Sequence, residues 1–144
     1  ETDMKNQIYQ EDVYEGMELP TLRKDPSTQQ LVMYAGASGD YYQIHYDQEY
    51  ARSNGLPSVI LHGALKNAFL GQLITDWIGE YGMIKKLSVQ YRGMDTPSGP
   101  ILAKGIVVKK GTDGEIDCNI WLENSSGEKT TPGSATVYLP SRSP

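Results

Sequence analysis

The apolar positions change period once along the chain, and the change marks two halves with different architecture. Leu65, Phe69, Leu73 and Trp77 recur every fourth residue, with Ala64 and Ala68 beside them and Leu70, Ile74 and Ile78 in a neighbouring row. This spacing predicts a helix over Leu61–Ile78 that is buried on most sides, with Lys66, Asn67, Gln72, Thr75 and Asp76 at its edges. Gly79 and Gly82 are natural stops. Beyond Gly82 the period is two. Leu87, Val89 and Tyr91 alternate with polar neighbours, Ile101–Val108 is a near-continuous apolar run, and Ile116, Cys118, Ile120 and Leu122 alternate again. Ala135, Val137 and Leu139 close the series, and turns fall at 109–115 and 124–129. The pattern predicts an antiparallel meander following a long helix.

The first half is less regular. Extended pieces are predicted around Ile8–Val13 and Met17–Leu22. Ser27 or Thr28 caps a helix carrying Leu31, Val32, Tyr34 and Ala35, which Gly36, Ser38 and Gly39 weaken and end before Asp40. Residues 40–48 read as a loop and Glu49–Ser53 as one helical turn. A buried helix followed by an antiparallel sheet is an α+β layout. One flat sheet covers one side of a helix, so a helix apolar on several sides predicts a strongly curved sheet, a second subunit, or both.

A length of 144 residues suits one domain, 1–144, with one core. Glu1–Asp3 precede Met4 and carry no weight here. The net charge of −5 argues against a broad nucleic-acid surface. No stretch approaches the ~20 apolar residues of a membrane span, and no secretory signal is visible. The single cysteine, Cys118, excludes an intrachain disulfide framework and reads as a small core residue, compatible with a reducing, cytoplasmic setting.

Candidate chemistry gathers where the two halves meet. The only histidines, His45 and His62, flank the junction of the loop and the long helix, and Asp40 lies five residues before His45. A carboxylate and an imidazole facing one small volume can orient a water and move its proton. The local pattern alone leaves alternatives open: Asp40 could cap a turn and His45 could be a satisfied half-buried residue. Asp40, His45 and His62 are sufficient in number for a zinc site, but their spacing matches no metal motif, so no metal is expected.

Two separated blocks narrow the reading. Ser38-Gly39-Asp40-Tyr41-Tyr42-Gln43-Ile44-His45-Tyr46-Asp47 is followed, after a gap, by His62-Gly63 opening the long helix. Together they resemble the hydratase motif of the MaoC-like (R)-specific enoyl thioester hydratases and dehydratases, Ser-Gly-Asp-x-Asn-Pro-Ile-His-x-Asp and then His-Gly. The resemblance is clear over residues 34–65, and the order of helix and strands continues it to the C-terminus. It implies a single hot-dog fold, a curved antiparallel sheet wrapped around a long central helix, usually paired with a second hot-dog unit.

The same resemblance implies hydration of a 2-enoyl thioester, or dehydration of a 3-hydroxyacyl thioester, with Asp40 and His45 as the acid–base pair. Gly63 matches the glycine whose N–H holds the thioester carbonyl oxygen, a role suited to the unpaired first N–H groups of a helix. The implied partners are an acyl thioester of coenzyme A or acyl carrier protein, and a second hot-dog subunit, identical or not. No cofactor is implied. The sequence departs from the motif where Asn and Pro are replaced by Tyr42 and Gln43, and Ala64 stands where Met is frequent. The loop then needs another means of support, and Tyr42 is expected to wall the acyl pocket. His62 is expected to be structural, packing or bonding behind the loop. Tyr41, Tyr46 and Tyr50 are expected to pack the loop. Lys85, Lys86, Arg92, Lys109 and Lys110 are weaker candidates for carrier phosphates. Two rivals share the fold: a non-catalytic hot-dog subunit of a heteromeric hydratase, and a hot-dog acyl-CoA thioesterase.

Overall fold

A computed structural model describes residues 7–143; Glu1–Asp3, set aside above, lie outside this range. The helices are α1 (Thr28–Ser38), α2 (Gln48–Ser53) and α3 (Gly63–Ile78), and the strands are β1 (Leu22–Lys24), β2 (Met83–Val89), β3 (Ile101–Lys110), β4 (Glu115–Glu123) and β5 (Lys129–Tyr138). The strands form one antiparallel sheet in the order β1-β3-β4-β5-β2.

The sheet wraps α3. Inward residues alternate along β3 and β4, so Ile101, Ala103 and Val107 face the core with Ile116, Cys118, Ile120 and Leu122. From α3 come Leu65, Phe69, Leu70, Leu73, Ile74, Trp77 and Ile78, all buried. Leu31 of α1 and Val59 and Leu61 of the connecting segment complete the same core. Each fully buried Leu or Ile contributes about 1.5–3 kcal/mol relative to exposure. The large apolar residues of α3 are thus covered within one chain. The wide apolar arc is explained by a curved sheet plus N-terminal segments, and does not by itself require a second subunit.

Helix α3 begins two residues later than its apolar pattern suggests. Leu61 is buried as extended chain, His62 occupies the N-cap position, and Gly63 is the first helical residue. Ser27 and Gly39 cap α1 as expected: the Ser27 hydroxyl accepts from the Gln30 N–H, and Gly39 adopts a left-handed conformation with φ 77°. Within Ile8–Val13 the chain makes a 3-10 turn at Gln10–Asp12 instead of a strand. Met17–Leu22 does run extended beside β3, with Leu19 N–H donating to Gly105 O.

The meander holds for β3-β4-β5 and fails for β2. Strand β2 pairs with β5 at the far edge and ends at Val89, so Tyr91 lies beyond it. Residues 90–100 cross from β2 at one edge of the sheet to β3, next to the opposite edge strand β1, passing the start of α3, where the Leu61 N–H donates to Asp95 O at 2.8 Å. The connection over residues 90–100 is far longer than a tight hairpin loop, and this crossing strap supplies one wall of the site.

Candidate active site

The loop after α1 carries Asp40 and His45 and is stitched mainly by backbone. A 3-10 turn at Gln43–His45 follows Tyr42, with His45 N–H donating to Tyr42 O and Asp47 N–H to Gln43 O. Asp40 Oδ1 accepts from the Tyr42 N–H at 3.4 Å, and Tyr46 Oη donates to Tyr41 O at 3.0 Å. Ile60 then anchors the loop twice: its N–H donates to Ile44 O at 3.0 Å, and its carbonyl meets His45 Nδ1 at 2.8 Å. These bonds supply the support that the Asn-Pro pair would otherwise give.

The bond to Ile60 also decides the histidine's tautomer. A carbonyl only accepts, so Nδ1 of His45 carries a hydrogen and neutral His45 presents Nε2 as an acceptor. Nε2 lies 3.7 Å from Asp40 Oδ2, too far for a direct hydrogen bond. His45 is buried and the Asp40 carboxylate is half exposed, so the pair spans the boundary between protein and solvent.

His62 lies behind this pair. Its ring stacks on His45 at 3.8 Å between centroids and 21° between planes, and it meets Tyr34 edge-on. It is fully buried, and neither ring nitrogen has a hydrogen-bond partner among the described residues. It packs behind the loop, against His45 and Tyr34. Burial, and then the neighbouring His45, hold the His62 imidazole below its usual pKa; Asp40 works in the opposite direction through its backbone and carboxylate. Ligand atoms of Asp40, His45 and His62 come within 4.8 Å of one another. A ring nitrogen's lone pair lies in the ring plane, however, and two nearly parallel planes do not converge on one ion at the ~2.0–2.1 Å required for zinc.

Gly63 starts α3 beside His45. The first helical bond is Lys66 N–H to His62 O at 3.1 Å, so the Gly63 N–H precedes the ladder and points out of the helix end. A Cβ on Gly63 would stand 3.2–3.3 Å from three ring atoms of Tyr91. The glycine is thus what lets an aromatic ring lie against the helix start. His45, Gly63, Lys66, Tyr91, Gly93 and Met94 border a cavity of about 390 Å³, within the size range of small-molecule sites. Arg92 also lines it, the one member of the weaker cationic candidates to do so. Tyr42 does not: it is half exposed, edge-on to His45 and to Tyr50 at 6.2 Å each, so its ring packs the loop.

Two residues of this neighbourhood escaped the sequence reading. Lys66, assigned above to a helix edge, is buried, and its ammonium donates to Gly93 O at 2.9 Å and to Asp95 Oδ2 at 3.1 Å. Asp95 Oδ2 also accepts from Thr130 Oγ1 at 2.6 Å. A charged residue at a helical position flanked by Leu65 and Phe69 was the available signal.

A model of the MaoC-like domain family matches residues 7–114, three quarters of the chain. The chain belongs to this family. The MaoC-like chain is 27% identical over 140 residues to the (R)-specific enoyl-CoA hydratase of Rhodospirillum rubrum, covering 93% of each protein. Its fold matches the R-hydratase PhaJ1 of Pseudomonas aeruginosa with TM-score 0.86 at 18% identity, covering 94% of this chain and 88% of that one. It also matches a chain of the ChsH1-ChsH2 complex of Mycobacterium tuberculosis with TM-score 0.80 at 20% identity, covering 88% of this chain and 98% of that one. The sheet wrapped on α3 is the hot-dog fold. Among the described residues no helix is long and apolar enough to cross a membrane.

Proposed function

We propose that this MaoC-like protein reversibly hydrates a 2-enoyl thioester of coenzyme A or acyl carrier protein, with Asp40 and His45 as the acid–base pair. The observation that carries this reading is the 3.7 Å gap between two acceptors, His45 Nε2 and Asp40 Oδ2, with His45 lining the same cavity as Gly63. A single water has two O–H donors, and donating one to each acceptor satisfies both and leaves its lone pairs free. The thioester carbonyl accepts from Gly63 N–H, where the helix end favours negative charge. As the water oxygen bonds to C3, one of its protons passes to the pair and charge collects on the thioester oxygen. The pair then returns a proton to C2. Elimination of water from a 3-hydroxyacyl thioester follows the same steps in reverse.

The single domain works as a pair of hot-dog units, of its own kind or with a different subunit. Support comes from β2, an edge strand with one free side among the described residues, and from exposed Tyr81 and Met83 at its start. The deciding experiment incubates the purified chain with crotonyl-CoA and longer enoyl-CoAs and follows the conjugated enoyl absorbance separately from free thiol. Loss of absorbance without thiol is the expected result. Thiol release would instead make the chain a thioesterase, and activity appearing only after a second hot-dog subunit is added would make it the silent partner of a heteromer.

A further inference from the structure

The strap that crosses the sheet, residues 90–100, is tied to α3 on both sides of Gly63. On the N-terminal side the Leu61 N–H donates to Asp95 O at 2.8 Å. On the C-terminal side the Lys66 ammonium holds Gly93 O at 2.9 Å and Asp95 Oδ2 at 3.1 Å. Side chains of this ion pair are only 4% and 1% exposed. Thr130 of β5 reaches Asp95 Oδ2 with its hydroxyl, and its carbonyl accepts from the N–H groups of Arg92 and Gly93. Immediately before these ties lies Tyr91, half exposed, whose ring rests on Gly63 and whose centroid is 5.7 Å from Lys66 Nζ.

Replacing a buried ion pair by apolar side chains of similar volume is often neutral or stabilising, so bulk stability alone does not account for this pair. The Lys66 ammonium has three donors, and each one used here lands on the strap. We infer that Lys66 and Asp95 are a positioning pair: they fix the strap across the start of α3, and thereby set where the Tyr91 ring stands against Gly63. Among the described residues the pair has no bond to Asp40 or His45, although Lys66 borders the same cavity and Asp95 is tied to the buried Thr130 of β5. It acts on the carbonyl end of the substrate, through the wall that confines the thioester against Gly63. The kinetic part of this inference rests on the hydratase reading; the geometric part does not.

The test separates the two. Lys66→Met alone strands the Asp95 carboxylate, so the informative protein is the double variant Lys66→Met/Asp95→Asn, in which both charges are removed together and Thr130 keeps an acceptor. Thr130→Val is made in parallel, loosening Asp95 with the ion pair intact. In each, three quantities are measured: the melting temperature, kcat/KM on crotonyl-CoA, and the NMR shift of the Gly63 Hα protons, which a ring resting on them moves upfield. The double variant is expected to melt near the wild type, lose about tenfold or more in kcat/KM, as misplacement of a substrate-confining wall does, and lose the upfield shift. Thr130→Val is expected to change both readouts in the same direction and less. A double variant with native kcat/KM and a native Gly63 shift overturns the inference; if it does not fold, an unchanged Gly63 shift in Thr130→Val does so. If the wild type hydrates no enoyl thioester, the hydratase reading fails, and the Gly63 shift still decides whether the pair positions the wall.

Discussion

The two walls of the cavity are built by opposite means. The loop carrying Asp40 and His45 faces solvent, is held by short-range backbone bonds and two links to Ile60, and exposes half of its carboxylate. The strap carrying Tyr91 and Asp95 is held by a buried ion pair between residues 29 apart in sequence. On the proposed hydratase reading, the loop leaves the Asp40 carboxylate where a water can enter and leave, with the buried His45 behind it. The strap needs no proton traffic, and its charges are sequestered where water cannot compete for their bonds. Chemistry and confinement are thus assigned to separate segments, which meet at Gly63.

Substitutions on the two walls should therefore fail differently. The largest effect belongs to the loop: Asp40→Asn and His45→Ala are each expected to lower kcat by at least ~10²-fold, the lower range for general acid–base groups. Circular dichroism and melting should stay near wild type for Asp40→Asn, since this carboxylate is half exposed. Near-full activity of either variant on the best substrate would remove the pair from the mechanism.

Gly63→Ala reports on the meeting point. Its new methyl would press on the Tyr91 ring at 3.2–3.3 Å, and that ring is exposed enough to swing away. Ala also favours a helix over Gly by up to ~1 kcal/mol. The expected outcome is an unchanged or higher melting temperature with roughly tenfold lower kcat/KM, equivalent to about 1.4 kcal/mol of transition-state stabilisation. A lower melting temperature with unchanged kcat/KM would place the glycine in packing alone.

His62 gives a pH signature. Its folded-state pKa lies below the ordinary histidine value, so the unfolded chain takes up the proton first as pH falls. This group leaves stability flat above about pH 6.5 and lowers it below, by up to about 1.4 kcal/mol per pH unit until the folded ring also protonates. His62→Phe removes that slope and two unpartnered buried nitrogens. Denaturant unfolding of both proteins from pH 8 to pH 5 should show a gap in favour of Phe that widens toward acid; parallel curves would mean that His62 is not held neutral.

The smallest effect is expected at Tyr42. Its hydroxyl makes no hydrogen bond among the described residues, so Tyr42→Phe should change kcat by less than about twofold. Tyr42→Ala removes the ring that packs edge-on against His45, and should lower kcat evenly across chain lengths. A selective loss on long acyl chains would return Tyr42 to the pocket wall, as the sequence alone suggests.

What could be read from the sequence follows the range of the interactions involved. Asp40, His45 and Gly63 lie in contiguous motifs whose local geometry is encoded within a few residues, and the helix Gly63–Ile78 shows its period directly. Strand β4 and the second half of β5 alternate because one face is buried, and β3 shows as an apolar run. The Lys66–Asp95 pair was hidden because no local pattern links a helix lysine to an aspartate in a Gly- and Pro-rich crossing. The same crossing misled the strand order, since the alternation of Leu87, Val89 and Tyr91 gives no sign of which neighbour β2 chooses. The orientation of Tyr42 is not legible for a related reason: a motif locates a residue along the chain, but which way its ring turns depends on Tyr50 and His45 around it.

Cys118 sits at the centre of β4, 1% exposed, with its thiol pushed up to about 12 by burial and by Asp117. Thiolate is the species that alkylating and disulfide reagents attack. The folded chain therefore contributes almost no signal to a thiol-detection assay, and each unfolded chain contributes one sulfur. That makes the residue a built-in clock: its labelling rate in dilute reagent, followed without denaturant, reads how often the middle of the sheet opens. Bound thioester should slow that clock if it seals the cavity against α3, which gives a measure of ligand binding that needs no turnover at all.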